Sequence, residues 1–176
     1  KLRKPLSIAF AFVATHNHFV FERGGKVFKQ SAPIIKLKDG YEQADHFSLL
    51  GLLNSSTACF WMKQIFHNKG DSTDQHGART TGVPEFNTYE FTGTGMKNFP
   101  IVAERPTELA RRLDALATEY VANLPEILLK DEVPTSELLS AGKERARSCR
   151  DRMVALQEEL DWRCYKLYGL VAEDLC

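Results

Sequence analysis

The chain has 176 residues, of which 43% are hydrophobic and 26% charged, and its formal net charge is zero. This composition is typical of a globular domain and excludes a fibrous or wholly disordered protein. Zero net charge argues against a protein that coats nucleic acid by charge alone, but it allows a local basic surface. No apolar run approaches the roughly 18 residues of a membrane span, so we expect a cytoplasmic protein with no membrane partner.

The first region is predicted to begin with two strands. Residues 7–22 are strand-like and largely apolar, Gly24 and Gly25 follow, and residues 26–38 resume a strand pattern that Pro33 interrupts. Glycine accepts the positive φ angles of tight turns, so this spacing predicts a β-hairpin around Arg23, Gly24 and Gly25.

A helix and a polar loop are expected next. The helix begins at Asp45 or His46 and continues to about Ile65, with a polar interruption at 54–57. Residues 67–81 have the composition of an exposed loop, and 89–92 are a further candidate strand. Pro100 excludes an ordinary central strand at 99–101.

The sequence changes character near Pro106, after which helical spacing dominates. One helix is predicted from Thr107 to about residue 124, and a longer one from Ser136 or Lys143 to Tyr168, capped by Gly169. We therefore predict an α+β fold, with a small mixed β-sheet and a packed helix at 1–106 and an antiparallel helical hairpin at 107–176.

His16 and His18 raise the question of a metal site. In a strand their side chains would share one face with Phe10, Phe12 and Val20. A catalytic zinc needs a third protein ligand, and nothing in the spacing of the other histidines supplies one. The four cysteines, at 59, 149, 164 and 176, form no C-x-x-C pair and are expected to be reduced thiols. We predict no metal ligand set.

The string FTGTG, from Phe91 to Gly95, resembles the cofactor loop of S-adenosylmethionine-dependent methyltransferases. Such a loop must lead from a strand into a helix of an α/β sheet, and here Pro100 opposes the helix. No Asn-Pro-Pro-Tyr type motif for a flipped adenine is present. We therefore expect no cofactor site and no catalytic residue in this chain.

Three longer strings, together with residues 89–100, carry a more specific resemblance. In order they are ATHNHFVFERGGKVF at 14–28, HFSLLGLLNSS at 46–56 and LDWRCYKLYGL at 160–170. The chain resembles the C-terminal part of adenine-specific DNA methyltransferases of the phage-growth-limitation or BREX defence systems, with the type 2 form expected. The second string is similar to a helix of target-recognition domains in restriction-modification enzymes.

The resemblance implies a DNA-recognition fragment that is not catalytic by itself. The chain begins without Met, and we expect a catalytic domain upstream that uses S-adenosylmethionine to methylate adenine N6 after base extrusion. The implied partners are double-stranded DNA, that upstream domain of the same polypeptide and other defence-system subunits.

Polar side chains of the first region are the candidate DNA contacts, because such groups can read base edges or hold phosphates. For any one of them, an ordinary solvated surface role is the alternative. The candidates are His16, Asn17, His18, Arg23, Lys26, Lys29, His67, Asn68, Lys69, Gln75 and Arg79.

Two other functions stay open at this stage. A protein-interaction module would dock another defence subunit through the helical hairpin and Trp162, Tyr165 and Tyr168. A metal-dependent hydrolase would use His16 and His18.

Overall fold

The computed structural model describes residues 6–71, 87–130, 133 and 135–172. Helices and short strands are combined as the α+β prediction requires. The strands are β1 (Ser7–Phe10), β2 (Val13–Ala14), β3 (Phe19–Glu22), β4 (Ile34–Ile35), β5 (His67–Asp71) and β6 (Asn87–Glu90). The helices are α1 (Gln43–Leu53), α2 (Ser56–Ile65), α3 (Gly93–Met96), α4 (Thr107–Ala122), α5 (Pro125–Leu128) and α6 (Ser136–Leu167).

The described strands form two three-stranded sheets, in the orders β3-β1-β4 and β2-β6-β5. Their pairings are all antiparallel, so two antiparallel sheets replace the single mixed sheet expected. The hairpin prediction around Gly24 was wrong: β3 pairs with β1, and β4 joins the other edge of β1. Gly24 and Gly25 do have positive φ angles, but the turn they make does not join two paired strands.

Residues 7–22, predicted as one strand, are divided between the two sheets. The N–H groups of Phe10 and Phe12 donate to the carbonyls of Pro33 and Ser31, whereas the carbonyl of Phe12 accepts from the Phe91 N–H at 2.7 Å. The chain therefore passes from one sheet to the other at Phe12. A continuous apolar pattern cannot reveal this change, because both sheets bury side chains against the same core.

The helix predicted from Asp45 or His46 begins slightly earlier and is divided in two. Glu42 and Asp45 form a reciprocal capping box at the start of α1. Ser55 caps α2 by accepting from the Ala58 N–H at 3.1 Å, so α1 and α2 meet at the predicted polar interruption. α1 is buried along most of its length and forms the centre of the core.

Both long helices of the second region were predicted correctly. α6 ends as expected at Gly169, whose φ is +68°, and the Leu170 N–H donates to the carbonyl of Tyr165 at 2.8 Å. α4 and α6 run antiparallel along each other. Leu160 and Cys164 of α6 are fully buried in the same hydrophobic cluster as α1, so the two regions share one core. The boundary at residue 106 stays a prediction.

Candidate nucleic-acid interface

Residues 15–18 form a loop between β2 and β3, which we call the histidine loop. The sequence had predicted that this segment belongs to a strand, but β2 ends at Ala14 and β3 begins only at Phe19. The side-chain amide of Asn17 donates to the carbonyl oxygens of Leu53, at 2.7 Å, and Ser55, at 3.1 Å. Asn17 thus holds the loop against the junction of α1 and α2, which gives this candidate DNA contact a structural role.

His16 and His18 lie side by side on the exposed side of this loop. Their ring centroids are 4.0 Å apart, and the Thr15 hydroxyl lies 2.8 Å from His16 Nδ1. Burial lowers the pKa of His16 below its usual 6.5, and the positive charges of His18 and Lys63 lower it further. A neutral imidazole offers one hydrogen-bond donor and one acceptor, which is the chemistry needed at a base edge.

Lys63 and Tyr89 complete the surface around the two histidines. Tyr89 of β6 lies opposite Ala14 of β2, and the Lys63 ammonium lies 5.7 Å from the centre of its ring. Both side chains are partly exposed. We call His16, His18, Lys63 and Tyr89 the histidine surface.

The candidates at 67–69 are exposed and belong to β5, so the predicted loop was wrong over 67–71. The Lys69 ammonium lies 2.6 Å from the carboxylate of Glu90, and the register of β5 against β6 shifts between Asn68 and Gly70. Such a bulge places an extra residue on one strand and changes where its side chain points. β5 thus borders the strand that carries Tyr89. The remaining loop candidates, Gln75 and Arg79, lie outside the described residues.

Arg23, Lys26 and Lys29 lie at the opposite end of β3. Arg23 is ion-paired with Asp114 of α4, and its guanidinium lies 5.0 Å from the ring centre of Phe21. Lys26 pairs with Glu22 at 3.2 Å, and Lys29 is exposed. Arg23 follows His18 by five residues, and at about 3.3 Å each these put it roughly 16 Å from the histidine loop. The structure therefore divides the candidates between two places.

Three further residues of this region, Lys63, Tyr89 and Phe60, were not predicted from the sequence as site residues. Phe60 is 70% exposed on α2, three residues before Lys63, and so lies on a neighbouring part of the helix surface. The sequence did contain a signal that Phe60 and Lys63 are exposed. Helical spacing puts both on the side of α2 opposite the buried Ala58 and Met62. The position of Tyr89 depended on a strand pairing that the sequence does not specify.

The FTGTG string folds as the end of β6 and the one helical turn of α3. Thr92 caps α3 by accepting from the Gly95 N–H at 3.2 Å. A Cβ on Gly95 would lie 2.3 Å from Cε1 of Phe66, whereas one on Gly93 would meet nothing within 4 Å. The second glycine is therefore required for packing.

His16 and His18 have no third ligand among the residues described: no group of three His, Cys, Asp or Glu side chains there can hold a metal ion. In the same part of the chain, no helix combines the length and apolar character needed to cross a membrane.

Two of the aromatic residues considered for docking are used within the fold. The Tyr165 and Ser56 hydroxyls are 2.7 Å apart, and the Tyr168 hydroxyl donates to the carbonyl of Pro100 at 2.7 Å. Trp162 is 50% exposed and packs edge-on against Tyr165. These contacts hold α6 against the first region and favour a structural role for the two tyrosines.

Comparison with known proteins finds one informative relative. No family model matches the chain, and no solved structure matches it. The chain is 48% identical over 170 residues to the adenine-specific methyltransferase PglX of Streptomyces coelicolor. The alignment covers 96% of this chain but only 14% of that protein, so the chain is similar to one segment of a much larger methyltransferase.

Proposed function

We propose that the chain is the DNA target-recognition segment, at the C-terminal end, of a PglX-like adenine-N6 methyltransferase in phage defence, of the BREX type 2 form. The observation that carries this proposal is the 48% identity, sustained over 96% of the chain, to an enzyme named as an adenine-specific methyltransferase. The methyl donor, S-adenosylmethionine, would bind an upstream domain of the same polypeptide. This chain would choose which adenine enters that domain.

The histidine surface suits contact with DNA for three physical reasons. His16 and His18 are exposed and close enough to address adjacent hydrogen-bonding groups, such as those of neighbouring base pairs. Lys63 supplies a positive charge for a phosphate beside them. Phe60 and Tyr89 offer aromatic surface near that lysine, and aromatic rings can stack on exposed bases.

The anchoring of the histidine loop also supports the proposal. Side chains that read a base sequence must be held in place by the scaffold, since loose positioning weakens discrimination. Asn17 fixes the loop to the start of α2, and Lys63 lies on that same helix. The loop and the lysine are therefore positioned by one rigid element.

A mobility-shift titration of the chain with duplex DNA of about 30 base pairs, at several salt concentrations, tests the proposal. The variants K63A/K69A and K26A/K29A each lose two lysines. Lys63 belongs to the histidine surface and Lys69 lies on the bordering strand β5, whereas Lys26 and Lys29 lie beyond the far end of β3. We expect K63A/K69A to weaken binding about tenfold at low salt and to reduce the salt dependence, with K26A/K29A changing affinity less than about threefold. No binding by the unsubstituted chain at low salt would contradict the DNA-contact proposal.

The division of labour within the longer enzyme has its own test. The isolated chain should transfer no methyl group from labelled S-adenosylmethionine to DNA. In the full-length methyltransferase, H16A/H18A should change which DNA sequence around the adenine is methylated, or reduce methylation of DNA. Binding of the cofactor should be unchanged. Loss of cofactor binding in this variant would place the histidines in a different role.

A further inference from the structure

A groove crosses the helical hairpin at the end away from the histidine surface. It has a volume of about 690 Å³ and lies where the last turn of α4, α5 and the first half of α6 meet. We call it the hairpin groove; its described lining includes Leu124, Pro125 and Leu129 and, on α6, Lys143, Arg147 and Arg150.

The apolar floor of this groove is fixed by close packing. A Cβ on Gly142 would lie 2.4 Å from Cδ1 of Leu128 and 3.1 Å from the carbonyl of Asn123, so glycine lets α6 approach the turn between α4 and α5. Because Leu128 is used in this contact, the adjacent Leu129 is turned outward and is 40% exposed. Leu129 therefore contributes apolar surface to the groove and not to the core.

One rim of the groove is strongly positive. Lys143, Arg147 and Arg150 are exposed on α6 at spacings of four and three residues, which puts them on one side of the helix. The described lining contains no carboxylate, and none of the three cations forms an ion pair with another described residue. The rim thus presents three positive charges over about 10 Å, or two helical turns.

We propose that the hairpin groove docks an amphipathic helix of a partner protein that carries carboxylates along one edge of its apolar face. Leucine-type side chains would fill the floor formed by Leu124, Pro125 and Leu129. Two or three carboxylates at a spacing of three or four residues would face Lys143, Arg147 and Arg150. This is the usual form of helix-in-groove recognition, in which complementary charges set orientation and partner choice.

The apolar floor favours a protein helix over DNA at this groove. A phosphate backbone would match the cations, but it offers nothing to cover exposed leucine and proline side chains. The groove is also separate from the proposed DNA contact. Ser56 contacts Asp161 near the histidine loop, and fourteen residues of helix put Arg147 roughly 20 Å from there. The docking proposal therefore does not rest on the proposed DNA function.

Binding of a synthetic peptide tests the proposal by fluorescence anisotropy. The probe is a labelled helical peptide of about 16 residues, with leucines on one face and glutamates flanking it at a spacing of three or four. Its matched control carries lysine in place of each glutamate. The groove variant is K143E/R147E/R150E, and the control variant R112E/R145E/R152E makes the same charge change on the other flank of the hairpin. Circular dichroism checks that both variants keep their helical content and melting temperature.

We expect the chain to bind the glutamate peptide, with affinity at least about tenfold lower for the lysine peptide and for K143E/R147E/R150E. The control variant should bind within about threefold of the unsubstituted chain. No binding of the glutamate peptide at about millimolar concentration would overturn the proposal, as would equal losses in the two variants. A groove variant that loses affinity for duplex DNA but not for the peptide would also overturn it, in favour of a phosphate contact.

Discussion

Asn17 and Leu53 lie 36 residues apart in the sequence and are joined by a hydrogen bond of 2.7 Å from the Asn17 side-chain amide to the Leu53 carbonyl. Asn54, the next residue, binds the same segment in return: its side chain accepts from the Phe19 N–H at 3.1 Å and donates to the Phe19 carbonyl at 2.9 Å. Two asparagines therefore join the histidine loop and the start of β3 to the end of α1. The position of His16 and His18 depends on this link.

Replacing Asn17 with alanine should destabilise the fold more than it changes the exposed surface. The Leu53 carbonyl loses the Asn17 donor, and the Ser55 carbonyl keeps only the Cys59 N–H, so we expect the free energy of unfolding to fall by about 1 to 3 kcal/mol. Urea denaturation measures the change. The control is H16A, an exposed position, for which less than about 0.5 kcal/mol is expected. Equal stability of N17A and the unsubstituted chain would show that the loop is not held as described.

The two glycines of FTGTG should respond differently to alanine. G95A forces a Cβ to within 2.3 Å of the Phe66 ring, and overpacking of this kind costs about 1 to 3 kcal/mol. G93A meets nothing within 4 Å and lies in a helical turn, so its stability should be unchanged or slightly higher. Thermal melting of both variants decides the matter. Equal melting temperatures of G95A and G93A would contradict the close packing of Gly95 against Phe66.

The helical part of the fold could be predicted because its signals are local. Thr107 begins α4 and Gly169 ends α6 through backbone preferences that depend on nearby residues alone. The strands could not be predicted as well, because their partners are distant. Phe12 alone bonds to two distant parts of the chain, since its N–H donates to the carbonyl of Ser31 and its carbonyl accepts from the N–H of Phe91.

The sequence predicts the types of residue in the candidate interface but not which of them lie together in the fold. Histidines and lysines are visible in the sequence, but Lys63 lies near His16 because of two long-range links: the pairing of Ala14 with Tyr89 and the hydrogen bond from Asn17 to Ser55. The same tertiary contacts give Asn17 and Arg23 partners within the fold. From the sequence alone, a polar residue that bonds within the fold cannot be told from one that is available to contact DNA.

His16 should titrate below the usual histidine range. Burial lowers its pKa first, and the charges of His18 and Lys63 lower it further, so the neutral form should dominate near pH 7. NMR titration of the imidazole Cε1–H signals measures this directly. In K63M, which removes one positive charge, the pKa of His16 should rise toward about 6.5. An unchanged pKa in that variant would show that Lys63 does not face the histidine.

The fold should lose stability at alkaline pH. Burial raises the pKa of the Cys164 thiol from 9.0 to about 11 and that of Tyr168 from 10.0 to about 12. Between about pH 9 and 11, the Cys164 thiol loses its proton in the unfolded chain but keeps it in the folded chain. The free energy of unfolding therefore falls as pH rises through this range. The loss should reach about 2 to 3 kcal/mol.

Comparison with C164A isolates the contribution of that thiol. The variant should lose stability less steeply between about pH 9 and 11, whatever its stability at neutral pH, and should keep the later fall caused by Tyr168. Urea denaturation across this pH range gives both curves. Parallel curves for the two proteins would contradict a thiol buried in its neutral form.

Arg23 should prove to be a structural residue and not a DNA contact. Its guanidinium is ion-paired with Asp114 and lies over the Phe21 ring, so binding a phosphate would require it to leave both partners. The side chain is 53% exposed, and the ion pair should therefore contribute less than about 1 kcal/mol to stability. R23Q should accordingly reduce stability slightly and leave DNA affinity at low salt within about twofold. If R23Q instead weakens DNA binding as strongly as K63A/K69A does, the contact surface must extend along β3 to α4, because Arg23 and Lys63 are too far apart to hold the same phosphate.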